Sequence, residues 1–279
     1  MDDVQGLPAE IYTDDYYLHV CGGFHEFLAG GISPRLLRAI DLADLQSGMK
    51  VLDVGSGRGE LAYKCAEAGC QVWGIDYSSP ALELSSQDPT IADGVAYARN
   101  VKYSRMNSIH LGFPAVSFDR VFLIDIIEHL TDDELRATVS EARRVLRPGG
   151  RLVIHTAPNA WLIEPIYLVC GLLFGWQRHP YHINEQSYFS LRRHLAGIDG
   201  TARIEITKVP RFFQLGLGPA ASSMPLAARL ARAMDRLFDS KLIATLISES
   251  FLRVLLGTDL WGTIDISHAK PSVIRKPAQ

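Results

Sequence analysis

The stretch Val51–Glu60, VLDVGSGRGE, constrains the fold more than any other part of the chain. Lys50–Val54 is apolar and β-branched, and reads as a short buried strand. It ends in Gly55, Gly57 and Gly59, spaced by two. Helical spacing resumes at once in ELAYKCAEAG, through Leu61, Cys65 and Ala68, with Gly69 placed as a C-terminal cap. A strand that turns through glycines into a helix starts a β–α–β layer. It also lets the backbone approach a ligand closely.

The same alternation continues downstream. QVWGID (71–76) is a second strand, followed by a helix in SSPALELSSQ, with Ser78 or Ser79 as cap and Pro80 in the first turn. VKYSRM (101–106) and FDRVFLID (118–125) are further strands. TDDELRATVSEARRVL is a helix opened by a capping box, Thr131 to Glu134, and stopped by RPGG; RLVIHTA (151–157) is a fifth strand. Such alternation predicts a parallel sheet with helices on both faces, whose ligands sit at the carboxyl ends of the strands. That rule singles out Gly55, Asp76, Met106, Asn107, Ser108, Asp125 and Thr156. Beyond Asn159 the pattern changes. TARIEITKV and WGTIDISHAKP alternate like strands, and about 50 residues with helical periodicity lie between them.

The glycine spacing narrows the ligand. A dinucleotide loop, G-x-G-x-x-G, would put its third glycine at position 60, where this chain has Glu60, and no Walker lysine follows. Asp53, just before the loop, repels a phosphate and attracts an ammonium. Asp76 can accept two hydrogen bonds from a ribose diol. A ligand with an amino group, a ribose and no phosphate meets these demands, and S-adenosylmethionine is one.

At this point the chain resembles a known family. VLDVGSGRGE, GIDYS, FDRVFLIDIIEHL and VLRPGGRLVI look like the successive motifs of class I S-adenosylmethionine-dependent methyltransferases, in order and at the usual separations, over about residues 45–160. The resemblance implies a Rossmann-like, seven-stranded, mostly parallel sheet with an antiparallel last strand and a helical cap. Its segments would be an N-terminal cap segment over 1–45 and a cofactor-binding core over 46–160. An acceptor-side cap with a helical insertion and a strand near 201–209 would fill 161–258, and the final strand 259–279. It implies that Asp53, Gly55, Ser56, Gly57 and Gly59 hold the methionine part of the cofactor. Asp76, with its neighbour Tyr77, would take the ribose, and Met106, Asn107 and Ser108 the adenine, with Asp125 at the next strand end. The family commonly has Asp where this chain has Asn107; an amide both donates and accepts, so the contact survives. The product would be S-adenosylhomocysteine.

Methyl transfer from a sulfonium asks the protein mainly to align nucleophile and methyl. A hydroxyl acceptor also needs a base, and His129, His155, His179 and His182 are candidates, His129 and His182 foremost. Asp125, Glu128 and His129 stand at i, i+3 and i+4; with His182 they would form a divalent-metal set, as in metal-assisted relatives. The preferred reading needs no metal: Glu128 and His129 close the strand-to-helix junction by hydrogen bonds. YHINE (181–185) reads as an active-site rim. YTDDYYLHVCGGFHEF reads either as a lid over the cofactor or as a packing arm.

The expected reaction is O-methylation of a small, partly apolar metabolite, such as a quinone precursor, natural product, lipid or sugar. C- and N-methylation stay open. Two rivals stand beside it: a metal-assisted RNA 2′-O-methyltransferase and a non-catalytic cofactor-binding partner subunit. The net charge of −3 argues against a nucleic-acid partner. The charge is uneven: residues 1–202 carry 17 basic and 25 acidic side chains, residues 203–279 carry 11 and 6. Arg229, Arg232 and Arg236 lie off an apolar stripe, and IYLVCGLLFGW and LIATLISESFLRVLL are very apolar. These features suggest a greasy acceptor pocket, a homodimer face or peripheral membrane contact. Cys21, Cys65, Cys70 and Cys170 form no C-x-x-C pair, and MDDVQGLPAE has no apolar core, so a cytoplasmic protein is expected.

Overall fold

A computed structural model describes residues 6–86, 100–174, 178–207 and 240–267, together with Arg229, Arg232, Ala233, Asp235, Arg236 and Leu237. Seven strands form one sheet: β1 (Lys50–Val54), β2 (Gln71–Asp76), β3 (Val101–Arg105), β4 (Phe118–Ile124), β5 (Leu146–Thr156), β6 (Gly200–Thr207) and β7 (Asp259–Ile266). Their order is β3-β2-β1-β4-β5-β7-β6. β1 pairs in parallel with β2 and β4, and the parallel run extends to β3 and β5. β7 lies antiparallel between β5 and β6, as the family resemblance implies. β5 begins at Leu146, earlier than the expected Arg151, because Leu146 pairs with Phe118 across an irregular register before Arg151 resumes opposite Arg120.

Helices cover both faces. Among the described residues they are, in chain order, α1 (Phe24–Leu28), α2 (Pro34–Ala43), α3 (Glu60–Glu67), α4 (Ser79–Ser86), α5 (Asp132–Val145), α6 (Ala160–Phe174), α7 (Tyr188–Leu195), α8 (Lys241–Ser248) and α9 (Leu252–Leu256). Successive strand residues point to opposite faces. Leu52, Val54, Leu123, Leu152 and Ile154 therefore pack against Leu135 and Val139 of α5 and Leu191 of α7. Val51, Phe122 and Val153 pack on the other face against Leu36 of α2 and Leu61 of α3. Two buried faces explain why the central strands read as continuous apolar runs. The expected capping box of α5 is present, with the Thr131 side chain accepting from Glu134 N.

Consecutive crossovers run outward in opposite directions from β1 and β4, so a crevice opens at the carboxyl ends of these two neighbours. The chain between β6 and α8 is mostly outside the described residues, and with it most of the expected basic amphipathic helix. Among the described residues no helix is long and apolar enough to cross a membrane.

Candidate active site

β1 delivers Asp53 and the glycine loop to the crevice. Gly55, Gly57 and Gly59 adopt φ of 72°, 50° and 87°, a region that side chains with a Cβ rarely enter. At Gly59 a Cβ would also stand 2.4 Å from Tyr103 Oη and 2.9 Å from Ser85 Cβ. The loop is fastened to the end of β2: Gly57 N donates to Asp76 Oδ2 at 3.0 Å, and Ser78 N donates to Asp76 Oδ1 at 2.9 Å.

A cavity of about 350 Å³ lies over these strand ends, within the range of small-molecule sites. Its wall holds Asp53, Gly55, Ser56, Gly57, Asp76, Tyr77, Met106, Asn107, Ser108 and Asp125. Gly59 is not on the wall; it shapes the turn as N-cap of α3. Asp53 is buried, and its Oδ2 has no hydrogen-bond partner. Burial first, then the charges of Asp76 and Glu60, pushes the Asp53 carboxyl up to about 7. Glu60 is paired with the buried Arg58 at 3.0 Å. An orphaned carboxylate beside two more acids is a place for a cationic ligand.

The tyrosine-rich N-terminal segment closes the cavity. Tyr12, Tyr16 and Tyr17 are buried and line it. Arg58 Nη1 donates to Tyr17 O at 2.6 Å, Arg35 Nη2 to Gly22 O at 2.7 Å, and Ser78 Oγ to Tyr12 O at 2.9 Å. Of the two readings open in the sequence, the segment packs over the glycine loop as a cover.

The end of β4 departs from the expected helical face. Asp125 has a left-handed φ of 54°, and its carboxylate sits between Arg35 Nε and His155 Nδ1. Burial alone would raise this carboxyl, but Arg35 and His155 hold it well below the usual carboxylate range. His155 would be lowered by burial; Asp125 and Asp259 instead raise it to about 9. Its Nδ1 is engaged by the Asp125 carboxylate and it does not line the cavity, so it is not placed to act as a base there. Residues Ile127–His129 form a single 3-10 turn. Asp125 therefore does not join Glu128 and His129 in one ligand set, which corrects the i, i+3, i+4 reading. A 3-10 turn and the pull of Arg35 and His155 take its carboxylate elsewhere.

Glu128, His129 and His182 do meet. One side-chain ligand atom from each lies within 4.8 Å of the others. His182 arrives on the YHINE segment, which is sewn to the turn: Ile183 N and Asn184 N donate to Glu128 O at 3.0 and 3.1 Å. The His129 ring contacts Tyr181 O through Nδ1 at 2.8 Å. A carbonyl only accepts, so Nδ1 carries the proton and Nε2 the lone pair. Burial lowers His129 to about 4. Burial, with His129 and His179 nearby, lowers His182 to about 3. Glu128 is raised to about 8 by burial and then by Asp125, and its Oε2 accepts from Thr156 Oγ1 at 2.9 Å. His129 lines the cavity. His182 does not, and packs edge-on against His129 with ring centroids 5.1 Å apart. The ring of His179, a further candidate base, lies tilted against His182 with centroids 4.2 Å apart.

Sequence reasoning missed Arg35 and Arg58. Arg58 offered a signal, being a cation inside a glycine loop that folds against the protein. Arg35 offered none, because its partner Asp125 lies 90 residues away.

Residues 52–154 match a family model described as a methyltransferase domain. The chain is 33% identical over 175 residues to the ubiquinone/menaquinone biosynthesis C-methyltransferase of Saccharophagus degradans, covering 57% of this chain and 68% of that protein. It is 32% identical over 118 residues to the 27-O-demethylrifamycin SV methyltransferase of Amycolatopsis mediterranei, covering 42% of each. Among solved structures, a Haemonchus contortus phosphoethanolamine N-methyltransferase in complex with S-adenosyl-L-methionine superposes with a TM-score of 0.60 at 20% identity, over 94% of this chain and 60% of that one.

Proposed function

The chain belongs to the S-adenosylmethionine-dependent methyltransferases, and from that premise we propose that it methylates a small, partly apolar acceptor carrying an acidic hydroxyl, such as a phenol or enol. The observation that carries this reading is the neutral His129 at the cavity wall, with its Nε2 lone pair free of the Tyr181 bond. A base held near 4 is weak. It suits an acceptor whose proton is already loosely held, and not an aliphatic alcohol. The anion of a phenol or enol is nucleophilic at oxygen and at carbon. That chemistry is consistent with relatives named for C- and O-methyl transfer.

In this proposal Asp53 takes the cofactor's ammonium, the Gly55–Gly57 backbone its methionine part, Asp76 the ribose diol, and Met106–Ser108 the adenine side. Tyr12 and Tyr16 exclude water above the methyl group. The reading is tested by assaying release of S-adenosylhomocysteine with phenolic and aliphatic alcohols of matched size. Turnover is expected with the phenols. Turnover confined to aliphatic alcohols, or to oligoribonucleotides, contradicts it. A cytoplasmic location is part of the same proposal, and the buried free thiols Cys65 and Cys70 suit a reducing compartment.

Asp53 gives the proposal a pH signature. Its folded-state carboxyl lies near 7, above its ordinary value of 3.8. The unliganded protein is therefore favoured below pH 4 by this group and loses that contribution as pH rises toward 7. Cofactor binding runs the other way, because the ammonium needs the ionised carboxylate. Affinity for S-adenosylhomocysteine is expected to rise up to about tenfold per pH unit between pH 5 and 7 and then level off. Calorimetry across that range checks it. Asp53→Asn should flatten the profile, and an unchanged slope in that variant removes Asp53 from the ammonium site.

A second reading is favoured by the meeting of Glu128, His129 and His182. The donors fit a divalent cation. His129 fixes its other nitrogen on a backbone carbonyl, and Glu128 fixes one oxygen on Thr156, as metal ligands commonly do. His182 Nδ1 is buried without a partner. A bound cation would act as a Lewis acid that lowers the acceptor's hydroxyl pKa. Elemental analysis decides. On this reading chelator-treated protein takes up one Mn²⁺ or Zn²⁺ per chain, and Glu128→Gln or His182→Ala does not. Absence of uptake, with activity intact, leaves His129 as the base.

A further inference from the structure

α6 is apolar on every side. Its single charged residue, Glu164, is paired with Arg178. A helix of that composition belongs in a core or against lipid. Yet Leu168 and Leu172 are 65% and 80% exposed, and Val169 stands exposed beside them. α9 packs on α6, and Asn159 Nδ2, just before α6, donates to Val254 O and Gly257 O at 2.9 and 3.0 Å. α8 leads into α9, and these helices turn Leu242, Leu246, Phe251 and Leu252 outward, Leu242 to 81%. Exposed cations stand on the same helices, Lys241 at the start of α8 and Arg253 in α9, and Arg229 and Arg236 are exposed on helical residues that precede α8 in the chain.

We propose that the surface formed by α6, α8 and α9 docks on an anionic lipid bilayer. Its leucines and Phe251 enter the acyl boundary, and Lys241 and Arg253 meet the headgroups. Charge decides between a bilayer and a second copy of the chain. A two-fold dimer would bring this patch against itself, placing Lys241 and Arg253 of one copy in the field of the same cations of the other. Anionic headgroups complement them instead, at about 1 kcal/mol per cation near the surface. The contact is interfacial: α6 has 15 residues, and a span needs about 20. α6 starts just beyond the end of β5, on the crevice side of the sheet. Docking would therefore present an apolar acceptor dissolved in the bilayer to the side of the molecule where the cavity lies. Only this last point rests on the proposed function; the docking does not.

Co-sedimentation of the full chain with phosphatidylcholine vesicles, with and without phosphatidylglycerol, tests the proposal. Binding about tenfold or more tighter to the anionic vesicles is expected, weakening as salt is raised. The double variant Leu242→Glu/Leu246→Glu, and separately Leu172→Glu, should lose binding while keeping a cooperative thermal transition. Equal binding to both vesicle types, no binding to either, or unchanged binding in folded variants would overturn the proposal. Light scattering covers the remaining occupant: a dimer in the parent chain that these substitutions dissociate would place a second copy on the surface and would likewise overturn it.

Discussion

Asp76→Ala is expected to weaken S-adenosylhomocysteine binding about a hundredfold in calorimetry. Two charge-assisted hydrogen bonds to a ribose diol contribute roughly 1.5 kcal/mol each at the low end, and 1.4 kcal/mol is a factor of ten. The carboxylate also accepts from Gly57 N and Ser78 N, so alanine frees two loop donors as well. Asp76→Asn separates these contributions. The amide retains one acceptor oxygen, and should recover part of the loop order and only part of the affinity. Wild-type affinity in Asp76→Ala would remove Asp76 from the ribose site.

His129→Ala is expected to lower methyl transfer by roughly 10²–10⁴-fold, the usual worth of a positioned base. Affinity for S-adenosylhomocysteine should change little, because the imidazole serves the acceptor and not the sulfonium. Losing the bond to Tyr181 O costs stability as well, about 1 kcal/mol. A fall in melting temperature with full activity would make His129 a junction residue only. The same variant separates the readings of the Glu128–His129–His182 cluster. If a cation binds there, His129→Ala loses metal and activity together. If none binds, activity falls with the metal content of parent and variant alike at zero.

The crevice wall around Asp53, the glycine loop and Asp76 was legible in the sequence because each part is local. Asp53 lies one residue from the end of β1, the glycine loop follows at once, and Asp76 ends the next strand. Backbone twist and strand-end geometry bring them together without help from distant segments. The antiparallel place of β7 came through family resemblance and not through periodicity, which gives a strand but not its partner. The acceptor side depends on long-range pairing. Arg35 meets Asp125 across 90 positions, and His129 meets the Tyr181 carbonyl across 52. No local pattern encodes such encounters. The i, i+3, i+4 spacing of Asp125, Glu128 and His129 misled for a related reason. It presumes an α-helical turn, while the chain leaves β4 through a left-handed Asp125 and a single 3-10 turn. Arg35 and the buried His155 hold that departure in place.

Titrating the full chain with S-adenosylhomocysteine and with NAD under one set of conditions asks whether this glycine loop and its two aspartates hold a cofactor with a ribose, an ammonium and no phosphate. One S-adenosylhomocysteine per chain is expected, bound at least about tenfold more tightly than NAD, because Asp53 attracts the ammonium and repels a pyrophosphate. Tighter binding of NAD, or no heat with S-adenosylhomocysteine at pH 7.5 where Asp53 is largely ionised, would contradict it.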